Sequence, residues 1–306
     1  MHSQGNTYLQ TIPSILFCLF IFVLGGPVTS VAQAMPGSNP LNPWPALIRE
    51  AEALGLPTQF LKEIDPEFVT VEFADLHTYA AEYHPEDHRM ILNLRLSFNK
   101  AGGALAALDR MTHHDLNLLY HELLHAYLDF IFFGREADRL TPQAKHLLAF
   151  AQKQLQCHYR FIRITPIRQR KASTELRFLS DDDAWEALNE TWAMFVGWAI
   201  WTKLELFPDK QTFGQWTPQH REQWGDRLAQ ADRQGEILGY YEPDDPVERN
   251  IARKRFLAPS HGITIQGIQL LLETILSESP DIVAKSKAII NTTRETVEKP
   301  LSCGES

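Results

Sequence analysis

Apolar residues recur through residues 116–133 at Leu118, Leu119, Leu123, Ala126, Leu128 and the run 130–133, on most of the circumference of a helix. That pattern predicts a buried helix rather than a surface one. Thr112 with Asp115 three residues on gives it a capping-box start, and Gly134 after the apolar run gives it a stop. A second uncharged run covers residues 192–201 and follows Asp181, Asp182 and Asp183, which suit a helix N-terminus. Residues 45–61 read as helix broken at Gly55-Leu56-Pro57, and residues 142–157, 219–234 and 263–276 as further helices, the last amphipathic. Ahead of the buried helix, residues 68–73 alternate as a strand. Residues 78–83 and 90–94 read as a hairpin around a turn at 84–88, flanked by His84 and His88. The expected fold is therefore α+β, mainly helical, with a small N-terminal sheet and hairpin preceding the buried helix.

The two ends of the chain read differently from its middle. Residues 1–34 carry no Lys, Arg, Asp or Glu, residues 15–24 are apolar, and Ala32-Gln33-Ala34 is a small-x-small cleavage signature. This reads as a signal peptide, so the protein is expected to be exported, periplasmic or secreted. The alternative is an N-terminal membrane anchor, since the segment has little positive charge before its apolar part. Removing 34 residues from 306 leaves 272, read as one domain over residues 35–276 and a polar C-terminal tail over residues 277–306. The net charge of -9 argues against a nucleic-acid partner. No other stretch is long and apolar enough to cross a bilayer, so no membrane contact is expected after cleavage. Cys157 and Cys303 remain after that cleavage and are free to pair in an exported chain.

Within the buried helix stands His121-Glu122-Leu123-Leu124-His125. Residues four apart share a helix face, so both imidazoles can reach one zinc ion, and Glu122 beside it can act as the general base on a water held there. Two His and one Glu in an apolar helix are costly to bury without a common partner. A hydrolytic zinc normally takes three protein ligands and keeps one position open. Glu190, a lone carboxylate at the edge of the uncharged run, is the leading candidate for the third. Glu186, one turn earlier, is its rival or an outer carboxylate, and His158, His220 and above all His261 are the downstream histidines that remain.

His121-Glu122-Leu123-x-His125-Ala126-x-x-Asp129-Phe130 resembles the active-site helix of thermolysin-type peptidases, and Leu188-Asn189-Glu190-x-x-Ala193 is similar to the glutamate-ligand segment of related aminopeptidases. Both groups belong to the gluzincins. The resemblance implies a zincin-like fold, one Zn2+ per chain held by His121, His125 and Glu190, and hydrolysis of a peptide or protein substrate. It implies further that Asp129 accepts the free ring N–H of a ligating His, and that a sheet-edge strand binds the extended substrate. An oxyanion donor is implied too, for which Tyr240, Tyr241 and His261 are the candidates. The pattern departs from those families in two places: 64 residues lie between His125 and Glu190, and Met194 stands where the thermolysin type has Asp. The other expectation is a zincin-like protein that binds a metal or a partner without turnover.

Overall fold

The computed structural model describes residues 43–77, 80–98, 104–133, 140–165, 174–207 and 213–294. Residues 1–38 and Asn39–Ser306 are separate units, and all the described residues belong to the second. Residues 1–34, read above as a signal peptide, Gly134 and Cys303 lie outside them.

Two long helices form the spine. One is α3, His113–Phe133 (after α1, Trp44–Ala53, and α2, Gln59–Glu63), and the other is α5, Asp181–Leu206 (after α4, Pro142–Gln154). The capping box at the start of α3 forms in full. Asp115 N–H donates to Thr112 Oγ1 at 3.1 Å, and Thr112 N–H and hydroxyl return to Asp115 Oδ2 at 3.2 and 2.8 Å. Ser180 Oγ caps α5 by accepting from Asp183 N–H, and the three aspartates occupy its first turn. The uncharged run of α5 is buried because Trp192, Phe195, Val196 and Ile200 all join the core. Gly197 lets α5 approach α3 closely: a Cβ there would lie 2.3 Å from Asn117 Oδ1.

The N-terminal sheet has the order β1-β3-β2, from Thr70–Ala74, Ala81–His84 and Arg89–Asn93. β2 and β3 form the expected antiparallel hairpin, with Tyr83 opposite Met90, while β1 joins β3 in parallel. That leaves β2 on an edge. Two further pairs are small: β4 with β5 (Phe161–Ile164, Glu175–Phe178) and β6 with β7 (Tyr240–Tyr241, Arg255–Phe256). The helix break at Gly55 is present, with φ 73°. The remaining helices are α6 (Pro218–Gln234), α7 (Pro246–Ile251), α8 (Ile265–Thr274) and α9 (Pro280–Arg294). The architecture is mainly helical with small sheets. No helix among the described residues is long and apolar enough to cross a membrane.

Within the segment 277–306 expected as a polar tail, residues 280–294 form α9, a packed helix, and residues 295–306 lie outside the described residues. Ile282, Val283, Ser286 and Ile290 share a buried face, Trp224 donates to Ser286 Oγ at 2.9 Å, and Arg294 pairs with Asp232 at 2.5 Å. Only four buried side chains carry the packing, so the overall polarity of the segment hid the helical stripe. Lys203 and Glu278 form an almost fully buried ion pair at 2.6 Å that ties α5 to the turn before α9. Between α4 and α5 the sequence carries a basic cluster, of which Arg160 pairs with Asp181, while Arg168, Arg170 and Lys171 fall outside the described residues. Cys157 is disulfide-bonded.

The chain leaves α4 through a π-helical turn, Leu155–Tyr159, which buries His158 against His261 with ring centroids 5.5 Å apart. His158 Nε2 donates to Gly262 O at 3.0 Å, which suits the neutral ring. Burial holds its pKa down at about 4 from 6.5; the Gly262 bond opposes this and the nearby His261 and Arg294 add to it. The unfolded chain thus takes up this proton below about pH 6.5 and the folded one only below about pH 4. Stability from this site is complete above the first value, falls between the two and is lost below the second, by about 3 kcal/mol. Denaturant unfolding across that window is expected to show a flatter pH slope in His158→Gln than in the unchanged protein; equal slopes would remove His158 as the cause.

Candidate metal centre

α3 and α5 meet at His121, His125 and Glu190. His121, Glu122 and His125 present donor atoms all within 4.8 Å of one another. The imidazoles stand edge to face, centroids 4.7 Å apart, because the i,i+4 spacing stacks them on one side of α3. From α5, Glu190 reaches both rings: Oε2 lies 3.3 Å from His121 Nε2, and Oε1 lies 3.4 Å from His125 Nε2. Two donors each about 2.0–2.1 Å from one tetrahedral zinc ion stand about 3.3–3.4 Å apart, so these separations fit such an ion. Glu190 Oε2 is buried without a well-formed hydrogen bond, His121 Nε2 standing 3.3 Å away, an arrangement that suits a cation as partner. Burial by itself would raise the Glu190 carboxyl, but His125 and His121, with the Tyr240 hydroxyl, hold it at about 2. It is therefore ionised at neutral pH. The donor set of two imidazoles and one carboxylate suits zinc.

Glu122 shares the cluster but has a different environment. Burial pushes its pKa up to about 7, with His125 opposing and the carboxylates of Glu190 and Glu82 adding, while Tyr83 N–H donates to its Oε2 at 2.9 Å. A carboxylate with that pKa can both take and return a proton at neutral pH.

The other residues singled out from the sequence divide between this cluster and elsewhere. Tyr240, on β6, lies within hydrogen-bonding range of Glu190 and near Glu122, and burial with these charges raises its pKa well above the usual range. Tyr241 points to the other face of β6, buried among Asp183, Glu248, Arg177 and Arg255. His261 sits with His158, Ser260 and Arg163 rather than with His121 and His125. Glu186 lies one turn before Glu190 and accepts from Glu242 N–H; burial and the carboxylates of Glu190, Glu242 and Asp183 raise it to about 8.

Asp129 does not hold a ring of the cluster. Its Oδ2 accepts from the Tyr83 hydroxyl at 2.5 Å and lies 2.7 Å from His88 Nδ1, because its helical position turns it toward the hairpin. Asn189 does what was expected of Asp129: its Oδ1 lies 2.8 Å from His125 Nδ1, which fixes that ring with Nε2 toward Glu190. In the sequence Asn189 carries no assigned task, and its place beside Glu190 is the one signal available. Gly239 stands in the sequence only as the glycine before the two tyrosines, with no task of its own. A Cβ there would lie 1.9 Å from Thr191 Oγ1 and 2.6 Å from its Cα, so β6 crosses α5 directly after Glu190 only because the residue is glycine. That crossing carries Tyr240 to the cluster.

Comparison of the chain with protein-family models, with curated proteins and with solved structures returns no match.

Two substitutions test this geometry. Asn189→Ala is expected to weaken zinc binding about 10–100-fold with the helical content unchanged, read by competition with a chromophoric chelator; unaltered affinity would contradict the tie to His125. Gly239→Ala is expected to lower stability by about 1–3 kcal/mol in denaturant melts as β6 is forced off α5; a neutral effect would contradict the close crossing.

Proposed function

We propose that the protein is an exported, zinc-dependent peptidase of the gluzincin type on a zincin-like framework. The observation that carries this reading is the approach of Glu190 to His121 Nε2 and His125 Nε2 at 3.3 and 3.4 Å, with Glu122 alongside. In this reading His121, His125 and Glu190 hold the ion. A zinc ion bound there supplies a Lewis acid that lowers the pKa of water toward neutrality and polarises a carbonyl.

The chain's own residues carry the rest. Glu122 keeps Oε2 on the Tyr83 N–H, which leaves Oε1 to accept a proton and later give it to the leaving amine nitrogen. Tyr240, whose hydroxyl neighbours Glu190, is the donor available for the oxyanion that develops on the scissile carbonyl. Asn189 keeps His125 in one tautomer. An extended peptide can add to the edge strand β2, which pairs with a strand on one side only and on its other side gives the Tyr83 N–H to Glu122. Export by residues 1–34 fits a hydrolase that meets peptide or protein substrates outside the cytoplasm.

The test is hydrolysis of a broad library of quenched fluorogenic peptides by the zinc-loaded mature protein. Cleavage is expected, stopped by chelation and restored by zinc. Glu122→Gln is expected to retain the metal and lose activity about 10²–10⁴-fold. Equal cleavage by that variant would overturn the assignment of Glu122. A zinc-loaded protein that cleaves nothing in the library would instead favour a metal- or partner-binding role without turnover.

A further inference from the structure

The hairpin is fastened to α3 at several points, through Tyr83 and His88 on its side and Glu122 and Asp129 on the helix. Tyr83 lies on the edge strand β2, with its main-chain N–H on Glu122 Oε2 at 2.9 Å and its hydroxyl on Asp129 Oδ2 at 2.5 Å. Glu122 and Asp129 are seven residues apart, two turns or about 10 Å along the same side of the helix. Tyr83 bridges that interval together with the two acidic side chains, its main-chain N–H at one carboxylate and its hydroxyl at the other. Asp129 Oδ2 also takes His88, across the turn from Tyr83, so one oxygen grips the hairpin on both sides of its turn. The His88 ring is backed by Phe68 at 4.2 Å, and Phe68 by Phe130 of α3 at 5.2 Å.

We propose that Asp129 is a positioning residue for Glu122, acting through Tyr83: by holding the Tyr83 hydroxyl and His88 it fixes the main-chain N–H that orients the Glu122 carboxylate. Several observations converge on this. Asp129 is 3% exposed and its Oδ1 has no hydrogen-bond partner, an expensive way to bury a carboxylate if packing were its only purpose. Both donors to Asp129 belong to the hairpin and neither to the metal cluster, where Asn189 holds His125. Glu122 is on a helix and Tyr83 on a separate sheet, so the Glu122–Tyr83 bond is only as fixed as the docking of the hairpin. A group that must meet a reacting proton has to be held within about 0.5 Å. The kinetic consequence of this proposal rests on the peptidase reading; the geometric one rests on the fold alone.

The experiment compares Tyr83→Phe and Asp129→Asn with the unchanged protein, all zinc-loaded. Four quantities are read: zinc per chain, melting temperature, hydrogen exchange of the amide at position 83, and kcat and KM on any peptide the protein cleaves. Glu122→Ala, which removes the acceptor, sets the exchange rate expected when that amide is released. In both variants the amide is expected to exchange about tenfold faster or more, while zinc content is retained. kcat is expected to fall about tenfold or more with KM within about twofold, because the substrate still binds while the base is misplaced. A merely structural role would lower the melting temperature and leave that kcat-against-KM split absent. Should Asp129→Asn fail to fold, Tyr83→Phe decides alone, since it deletes only a hydroxyl. Unchanged exchange at position 83 in Tyr83→Phe overturns the proposal, and so does faster exchange with unchanged kcat. If the unchanged protein cleaves nothing, the peptidase reading fails by itself, and the exchange rates still decide whether Asp129 holds Tyr83 on Glu122.

Discussion

One carboxylate buried against two imidazoles is the constraint around which the molecule is arranged. Glu190 can sit between His121 and His125 only if α5 passes close to α3 along a dry face, and Gly197 against Asn117 makes that approach possible. Burial disfavours an ionised carboxylate, yet this one is held at about 2, so the cluster keeps a fixed negative charge inside the protein. Such a charge is tolerable only with a cation or strong donors beside it. The two imidazoles and the Tyr240 hydroxyl provide part of that, and Glu190 Oε2, which has no well-formed hydrogen bond, marks where the rest is needed.

The small elements take their meaning from this crossing. β6 lies over α5 beside Glu190 through the missing side chain of Gly239, and so delivers Tyr240. The hairpin lies against α3 through Tyr83 and delivers a main-chain N–H to Glu122. Different environments separate the two acids of the cluster: the imidazoles of His125 and His121 and the Tyr240 hydroxyl lower Glu190, whereas burial and like charge raise Glu122 to about 7. One is suited to hold charge and the other to move a proton.

Much of this was legible in the sequence because it rests on local rules. The capping box of α3, the helix break at Gly55, the β2–β3 hairpin and both spine helices follow from short-range periodicity and end signals, and the i,i+4 pair of His121 and His125 follows from helix geometry. What was not legible depends on contacts far apart in the chain. Nothing local to Asp129 says that it faces Tyr83 and His88, 46 and 41 residues earlier. Similarly, nothing local to Gly239 says that Thr191 lies against it. Tyr240 and Tyr241 are adjacent and chemically identical, and only the pleat of β6 separates the one at the cluster from the one among Arg177 and Arg255. The helix α9 escaped notice for a different reason, since its four buried positions are diluted in a polar segment.

The central claim is that Glu190 completes a single zinc site with His121 and His125, and zinc content per chain at fixed free zinc tests it most directly. The account predicts close to one zinc in the unchanged protein and in Glu186→Ala, and almost none in His121→Ala and Glu190→Ala. Zinc retained in Glu190→Ala and lost in Glu186→Ala would contradict it, and would move the third ligand one turn back along α5.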